Sequence, residues 1–127
     1  MTDTYILLKI DGSRHLVDIE NENFNDEVHR LINCIYYELV HLPGDIYLVV
    51  DELGKVCEKP KDVNVLASML YPGTPHGDPI VGDVLIGKLG YVNGESDMVG
   101  LSDFELKILE EYFAAIYPIC FKPGTPG

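Results

Sequence analysis

Three short turn signals constrain this chain more than anything else in it. Asp11-Gly12, Pro43-Gly44-Asp45 and Asn93-Gly94 each interrupt a β-rich stretch. Glycine accepts the positive φ that tight reversals require, so each signal predicts a hairpin rather than one long strand. Before the first turn Ile6, Leu8 and Ile10 alternate within Tyr5–Ile10, and after it Val17 and Ile19 alternate within Arg14–Ile19. A two-residue period is that of a strand with one buried face. The second turn, read as type II with Pro43 and Gly44 at its centre, separates Tyr36–Leu42 from Ile46–Val50. Residues 51 to 55 read as a further reversal, with Val56 and Cys57 starting a short return strand and 58 to 63 a surface connection.

Helical signals fall between these hairpins. Phe24, Val28, Leu31, Ile32 and Ile35 share one helical stripe behind a candidate cap, Asn23, and Asn33 is a plausible stop. Residues 64 to 70 predict a short helix capped by Asn64, with Leu66, Met69 and Leu70 available for burial. Ser102 and Glu105 form the Ser-x-x-Glu signature of a capping box. Behind it, Phe104, Ile108, Leu109, Tyr112, Phe113 and Ile116 predict the buried side of a helix ending before Pro118. Ile80–Leu89 predicts a strand with a bulge or close approach at Gly82, and 98–100 a return strand. The fold class is therefore α+β: a largely antiparallel or mixed sheet of five to seven strands, with two longer helices and one short helix packed on one face. At 127 residues one domain is expected, over 1–117, with a Pro/Gly-rich tail at 118–127.

Charge excludes more than it specifies. Twenty-one acidic against nine basic residues give −12, with 13 acids and 6 bases before Asn64 and 8 and 3 from there on. Binding to nucleic acid or an anionic membrane needs Lys and Arg to neutralise phosphate, so direct contact with either is disfavoured. The charge serves solubility, or it lets the surface compete with nucleic acid for a basic partner. No signal peptide and no bilayer-length apolar run is present, and Cys34, Cys57 and Cys120 are an odd number without a CxxC spacing. A reduced, cytoplasmic protein is the expectation, monomeric or homo-oligomeric.

Chemical motifs are sparse. Gly82 and Gly87 do not form a phosphate-binding loop, and the four histidines lack ligand spacing. His76 and Asp78 could hold a divalent ion, but a loop histidine bonded to its own backbone is the favoured explanation, and no metal or cofactor is implied. None of the cysteines has an activating environment: Cys34 sits at the wrong helix pole and Cys57 beside Glu58. Exposed tyrosines among Tyr36, Tyr37, Tyr47, Tyr71 and Tyr91 could anchor an interface, although half-buried sheet tyrosines are common.

Two stretches carry a resemblance. Asn64, Ala67, Leu70 and Tyr71 follow an Asn-x-x-Ala-x-x-Leu-Tyr pattern, and Asp78, Ile80, Val81 and Gly82 an Asp-x-Ile-Val-Gly pattern. With "LVVDELGK" before them and "GLSDFELKILEEYF" after, the chain from Ile6 to Phe113 resembles the domain-of-unknown-function family DUF3846. The resemblance implies a small protein of bacteria, phages or mobile elements, without an assigned activity. It marks Asn64, Tyr71, Asp78 and Gly82 as residues of the fold or of a site. With His76 these are the candidate binding residues; no catalytic residue is assigned. Three roles follow, in order: a non-enzymatic protein that engages a protein partner, a small-molecule-sequestering protein using Asn64 to Gly82, and an enzyme of unknown class.

Overall fold

The computed structural model describes residues 2–42, 44–54, 61–70, 79–92 and 94–120. The strands are β1 (Thr2–Leu8), β2 (Arg14–Glu20), β3 (Tyr37–His41), β4 (Ile46–Asp51), β5 (Val84–Val92) and β6 (Glu95–Val99). The helices are α1 (Phe24–Leu31), α2 (Val65–Leu70) and α3 (Asp103–Cys120). Every strand pair is antiparallel, in the order β2-β1-β5-β4-β3, with β6 also against β5. The α+β class and the mainly antiparallel sheet are as expected.

The first two hairpins turn where glycine permits. Gly12 has φ +86, and the Asp11 carboxylate accepts the Ser13 N–H at 2.8 Å. At the second turn Gly44 and Asp45 both have positive φ, +81 and +64, so the left-handed backbone extends one residue past the expected type II centre. The 52–54 reversal forms, with Gly54 N–H on the Asp51 carbonyl at 3.2 Å; the expected strand at Val56 and Cys57 lies outside the described residues. β5 starts at Val84, after the backbone has turned at Gly82 (φ +78).

The sheet's long central strand β5 changes neighbours along its length. Residues 84–86 pair with β1 and residues 88–92 with β6, on the same edge. β6 therefore runs toward the start of β1, and Leu101 N–H closes the join on the Thr4 carbonyl at 2.8 Å. Gly100 sits where the chains cross. A Cβ there would lie 2.6 Å from Thr4 N and 2.7 Å from Thr4 O, backbone atoms that cannot swing aside.

The expectation that the helices share one face is corrected. Ile6, Leu8, Leu48, Val50, Val84 and Ile86 pack against α2 and α3 through Leu66, Ala67 and Phe113. Tyr5, Leu7, Val49 and Leu85 point the other way, onto Phe24, Val28 and Ile32 of the α1 segment. Both strand parities are buried, as in a three-layer arrangement. α1 ends as expected at Asn33, which takes φ +52 while Cys34 N–H reaches back to the His29 carbonyl at 3.2 Å. Asn23 precedes the helix without a side-chain cap bond, and Ile35 is exposed.

At α3 the capping box is complete. Ser102 N–H donates to Glu105 Oε1 at 2.8 Å, and Glu105 N–H to Ser102 Oγ at 3.2 Å. The buried stripe differs from the expected one: Leu106, Leu109, Phe113, Ile116 and Tyr117 face the core, whereas Phe104, Ile108 and Tyr112 face outward. The helix also continues through Pro118 to Cys120, past the expected end and the 117/118 boundary. Proline removes the donor that would bond the Ala114 carbonyl, but Ala114 is exposed and water can serve it.

Two stability measurements check this account. Gly100→Ala should cost about 1–3 kcal/mol in a urea melt, because the new methyl forces the β1–β6 crossing apart; an unchanged midpoint would contradict the crossing. Burial of Glu105 raises its carboxyl pKa, yet the bonds from Ser102 and the Lys88 ammonium outweigh this and hold it below the ordinary 4.5. A depressed carboxyl contributes stability above its unfolded pKa and loses it as pH falls through the folded one. Glu105→Gln keeps the reciprocal cap, so its stability deficit should shrink toward zero as pH falls below 4.5.

Candidate functional site

The stretch from Asn64 to Gly82 is closed at its base by a small ladder. Gly82 N–H donates to the Asp62 carbonyl at 2.7 Å and Asn64 N–H to the Ile80 carbonyl at 2.8 Å, with Val63 and Val81 bridging between. α2 rises from this base. Asn64 is fully buried, and its side chain serves three elements. Nδ2 donates to the carbonyls of Leu8 (3.0 Å) and Gly82 (2.9 Å), and Oδ1 accepts the Ala67 N–H at 3.1 Å. Both amide protons are spent, so Asn64 caps α2 as expected and also ties it to the end of β1 and to the turn before β5. Ser68 adds a neighbouring tie, accepting the Ile80 N–H at 2.9 Å. Met69, expected inside, is half exposed.

Gly82 has a second role besides its turn. A Cβ there would meet Lys61 Cδ at 2.7 Å, so the lysine stem crosses directly over it. Lys61 Nζ then donates to the carbonyls of Ile32 (2.8 Å) and Asn33 (2.7 Å) and pairs with Asp51 at 2.9 Å. Two of its bonds close the C-terminal end of α1, where a cation is favoured, and the third partner is a carboxylate of β4. An open hollow of about 300 Å³ lies alongside, lined by Ile10, Ile32, Asn33, Lys61, Asp62, Gly82 and Asp83. Its polar groups are largely engaged within the chain: Asp83 Oδ1 accepts the Ile10 N–H at 3.0 Å, and Lys61 is paired. Of the candidate residues, the structure brings Asn64 and Gly82 together through one hydrogen bond. Tyr71, His76 and Asp78 lie outside the described residues.

Among the described residues no three His, Cys, Asp or Glu side chains group as metal ligands, and no helix is long and apolar enough to cross a membrane. Burial raises the Cys34 thiol pKa, Asp51 adds to the rise, and Lys61 opposes it. The thiol lies 3.8 Å from His29 Nδ1, whose shorter contact, 2.9 Å, is to the Cys34 carbonyl.

A second surface lies on the α1 side of the sheet. Phe24 packs against Tyr5 and Tyr37, with ring centroids 5.5 and 6.2 Å away, and α1 covers the sheet up to this cluster. Beyond it, no described helix packs on β3, β4 and β5. His41 stacks on Tyr47 (4.6 Å, 16° between planes) across the β3–β4 register. Leu39 is 41% exposed, Leu89 38% and Tyr91 80%, and all share the strand parity of Val49 and Leu85. Gly87, opposite Tyr47, carries no side chain because the Tyr5 ring lies over it, 2.7 Å from where a Cβ would stand. Sequence reasoning singled out Tyr47 and Tyr91 but not Leu39, His41 or Leu89. The signal was their odd parity, shared with apolar residues on strands whose other face is also apolar.

No family model, curated protein or solved structure matches the chain. The likeness to the DUF3846 family thus rests on the residue patterns quoted for it.

Substitution of Asn64 checks the junction. Asn64→Ala removes the side-chain bonds to two carbonyls and one N–H at a buried junction and should cost about 2–4 kcal/mol in a chemical melt. Asn64→Asp keeps the cap but sets a carboxylate oxygen against two carbonyl oxygens, so near neutral pH it should be the less stable of the two. Wild-type stability in both variants would overturn the structural assignment.

Proposed function

We propose that this protein is a non-enzymatic binding protein that acts by occupying a positively charged protein partner, in the manner of an acidic competitor of nucleic acid. The supporting observation is how its charges are spent. Four of the six described Lys and Arg side chains are held by the chain's own carboxylates: Arg14 by Glu110, Arg30 by Glu27, Lys61 by Asp51 and Lys88 by Glu105. Among the described residues, most carboxylates have no such cationic partner. Glu22, Asp26, Glu38, Asp45, Glu52, Asp62, Glu95, Asp97 and Asp103 are all exposed. Within a chain of net charge −12, these create a field that accelerates encounter with a cationic surface and repels phosphate.

The alternative, sequestration of a small molecule between Asn64 and Gly82, draws less support. The hollow beside Gly82 is open, and Lys61, the cation that would receive an anionic ligand there, is committed to Asp51 and two carbonyls.

A displacement assay tests the proposal. A fluorescent DNA duplex is bound to a cationic peptide of mixed lysine and arginine, and the protein is titrated in. Release of the duplex at low salt, weakening several-fold as salt rises toward physiological strength, is expected from screening of surface charge. No release at low salt would overturn the proposal.

A further inference from the structure

The uncovered half of the sheet offers more than charge. Leu39, His41, Tyr47, Leu89 and Tyr91 form one apolar and aromatic surface across β3, β4 and β5, bounded on one side by the α1 cluster. The β5–β6 hairpin extends it, and Tyr91 near the tip is the most exposed large side chain of the set. Natural surfaces seldom leave such a contiguous face open unless something docks there.

Charge identifies the occupant. The four strands β3 to β6 contain a single cation, Lys88, which has the opposite parity to Leu89 and is paired with Glu105 of α3 at 3.0 Å. Of the exposed carboxylates on these strands and the β3–β4 turn, Glu38, Glu95 and Asp97 stand in register with Val50, Val92 and Gly90, the parity of Lys88. They therefore lie on the edge strands β3 and β6 rather than on this face, which leaves Asp45. Asp45 lies beside the patch, its carbonyl accepting the Leu89 N–H at 3.4 Å. Burial raises the phenol pKa values of Tyr5 and Tyr37, with Asp3 and then Asp97 adding to the rise at Tyr5 and Asp97 adding to it at Tyr37. A ring surface within a negative field suits a planar cation that stacks as well as pairs. That favours arginine, whose guanidinium lies flat on aromatic faces, over the compact and strongly hydrated lysine ammonium.

We propose that this uncovered sheet face docks an arginine-bearing segment of the protein partner, with Tyr47, His41 and Tyr91 as the stacking surface and Asp45 and the chain's net negative charge as the counter-charge. The inference rests on the cationic-partner reading above and adds its location and its preference for arginine.

The experiment uses the whole protein and two short peptides, one alternating arginine with glycine, the other lysine with glycine. Binding is followed by amide and aromatic NMR shifts and by calorimetry. The arginine peptide should bind more tightly, with the largest shifts at Leu39, His41, Tyr47, Leu89 and Tyr91. Tyr91→Ala combined with His41→Ala, both exposed positions that need not disturb folding, should weaken it about tenfold. Ile108→Ser, on the outward face of α3, should leave it unchanged. Shifts centred elsewhere, equal affinity for both peptides, or an unaffected double variant would overturn the docking surface while leaving the cationic-partner reading intact. Failure of both peptides to bind at low salt would overturn both readings.

Discussion

One buried carboxamide holds the architecture in register. Asn64 is the buried polar side chain among the described residues, and each of its three bonds ends on backbone of a different element. Backbone at element ends has donors and acceptors that no helix or ladder satisfies, and burial makes each costly unless it is paired. Asparagine suits the position because it offers donors and an acceptor on one short, uncharged side chain. Alanine would supply neither and aspartate only the acceptor. Lys61 plays the corresponding part on the other side of the junction, where its ammonium closes the carbonyl end of α1 and meets Asp51. Its stem can pass only because Gly82 has no side chain. The junction therefore couples both helical layers to the sheet through two polar side chains and one glycine.

The central strand explains why the open surface lies where it does. β5 is nine residues long, and β1 and β6 share one of its edges in succession. The part alongside β1 lies beneath α1, which buries Leu85 with Leu7 and Val49. The part alongside β6 runs on beyond the short helix. An eight-residue helix is about 12 Å long, too short to follow strands rising about 3.3 Å per residue to the tip of the hairpin. Leu89 and Tyr91 lie on the far side of the Tyr5–Phe24–Tyr37 cluster.

Local chemistry was legible in the sequence wherever one side chain determines one backbone geometry. Gly12, Asn33, Asn64 and the Ser102–Glu105 pair act over a few residues, and each takes its expected role. Choices between two apolar faces were not legible. α3 has outward Phe104, Ile108 and Tyr112 as well as inward Leu106, Leu109 and Phe113, and both sets recur at helical spacing. Two ion pairs, Lys88 with Glu105 and Arg14 with Glu110, join α3 to the sheet and accompany the inward choice. These partners are 17 and 96 residues apart, so no local pattern reveals them. The division of the helices between two faces was hidden for a similar reason: β1, β4 and β5 are apolar at both parities, and periodicity cannot say which helix covers which. Of the candidate site, Asn64 and Gly82 were legible as important because their residue types suit a cap and a left-handed turn. That their functional groups are spent on the fold follows only from distances.

An open aromatic face would ordinarily invite pairing between copies, particularly beside the edge strand β3. The charge that favours a cationic partner also opposes this. Two molecules of −12 carry a net mutual repulsion, which a screening length of about 8 Å at physiological salt confines to the last approach. Glu38 and Asp45 lie on β3 and its turn, at the edge where such pairing would form. A cationic segment experiences the opposite sign from the same groups. On the proposed reading, discrimination between a second copy and a basic partner needs no special recognition residue, because the charges that attract one oppose the other.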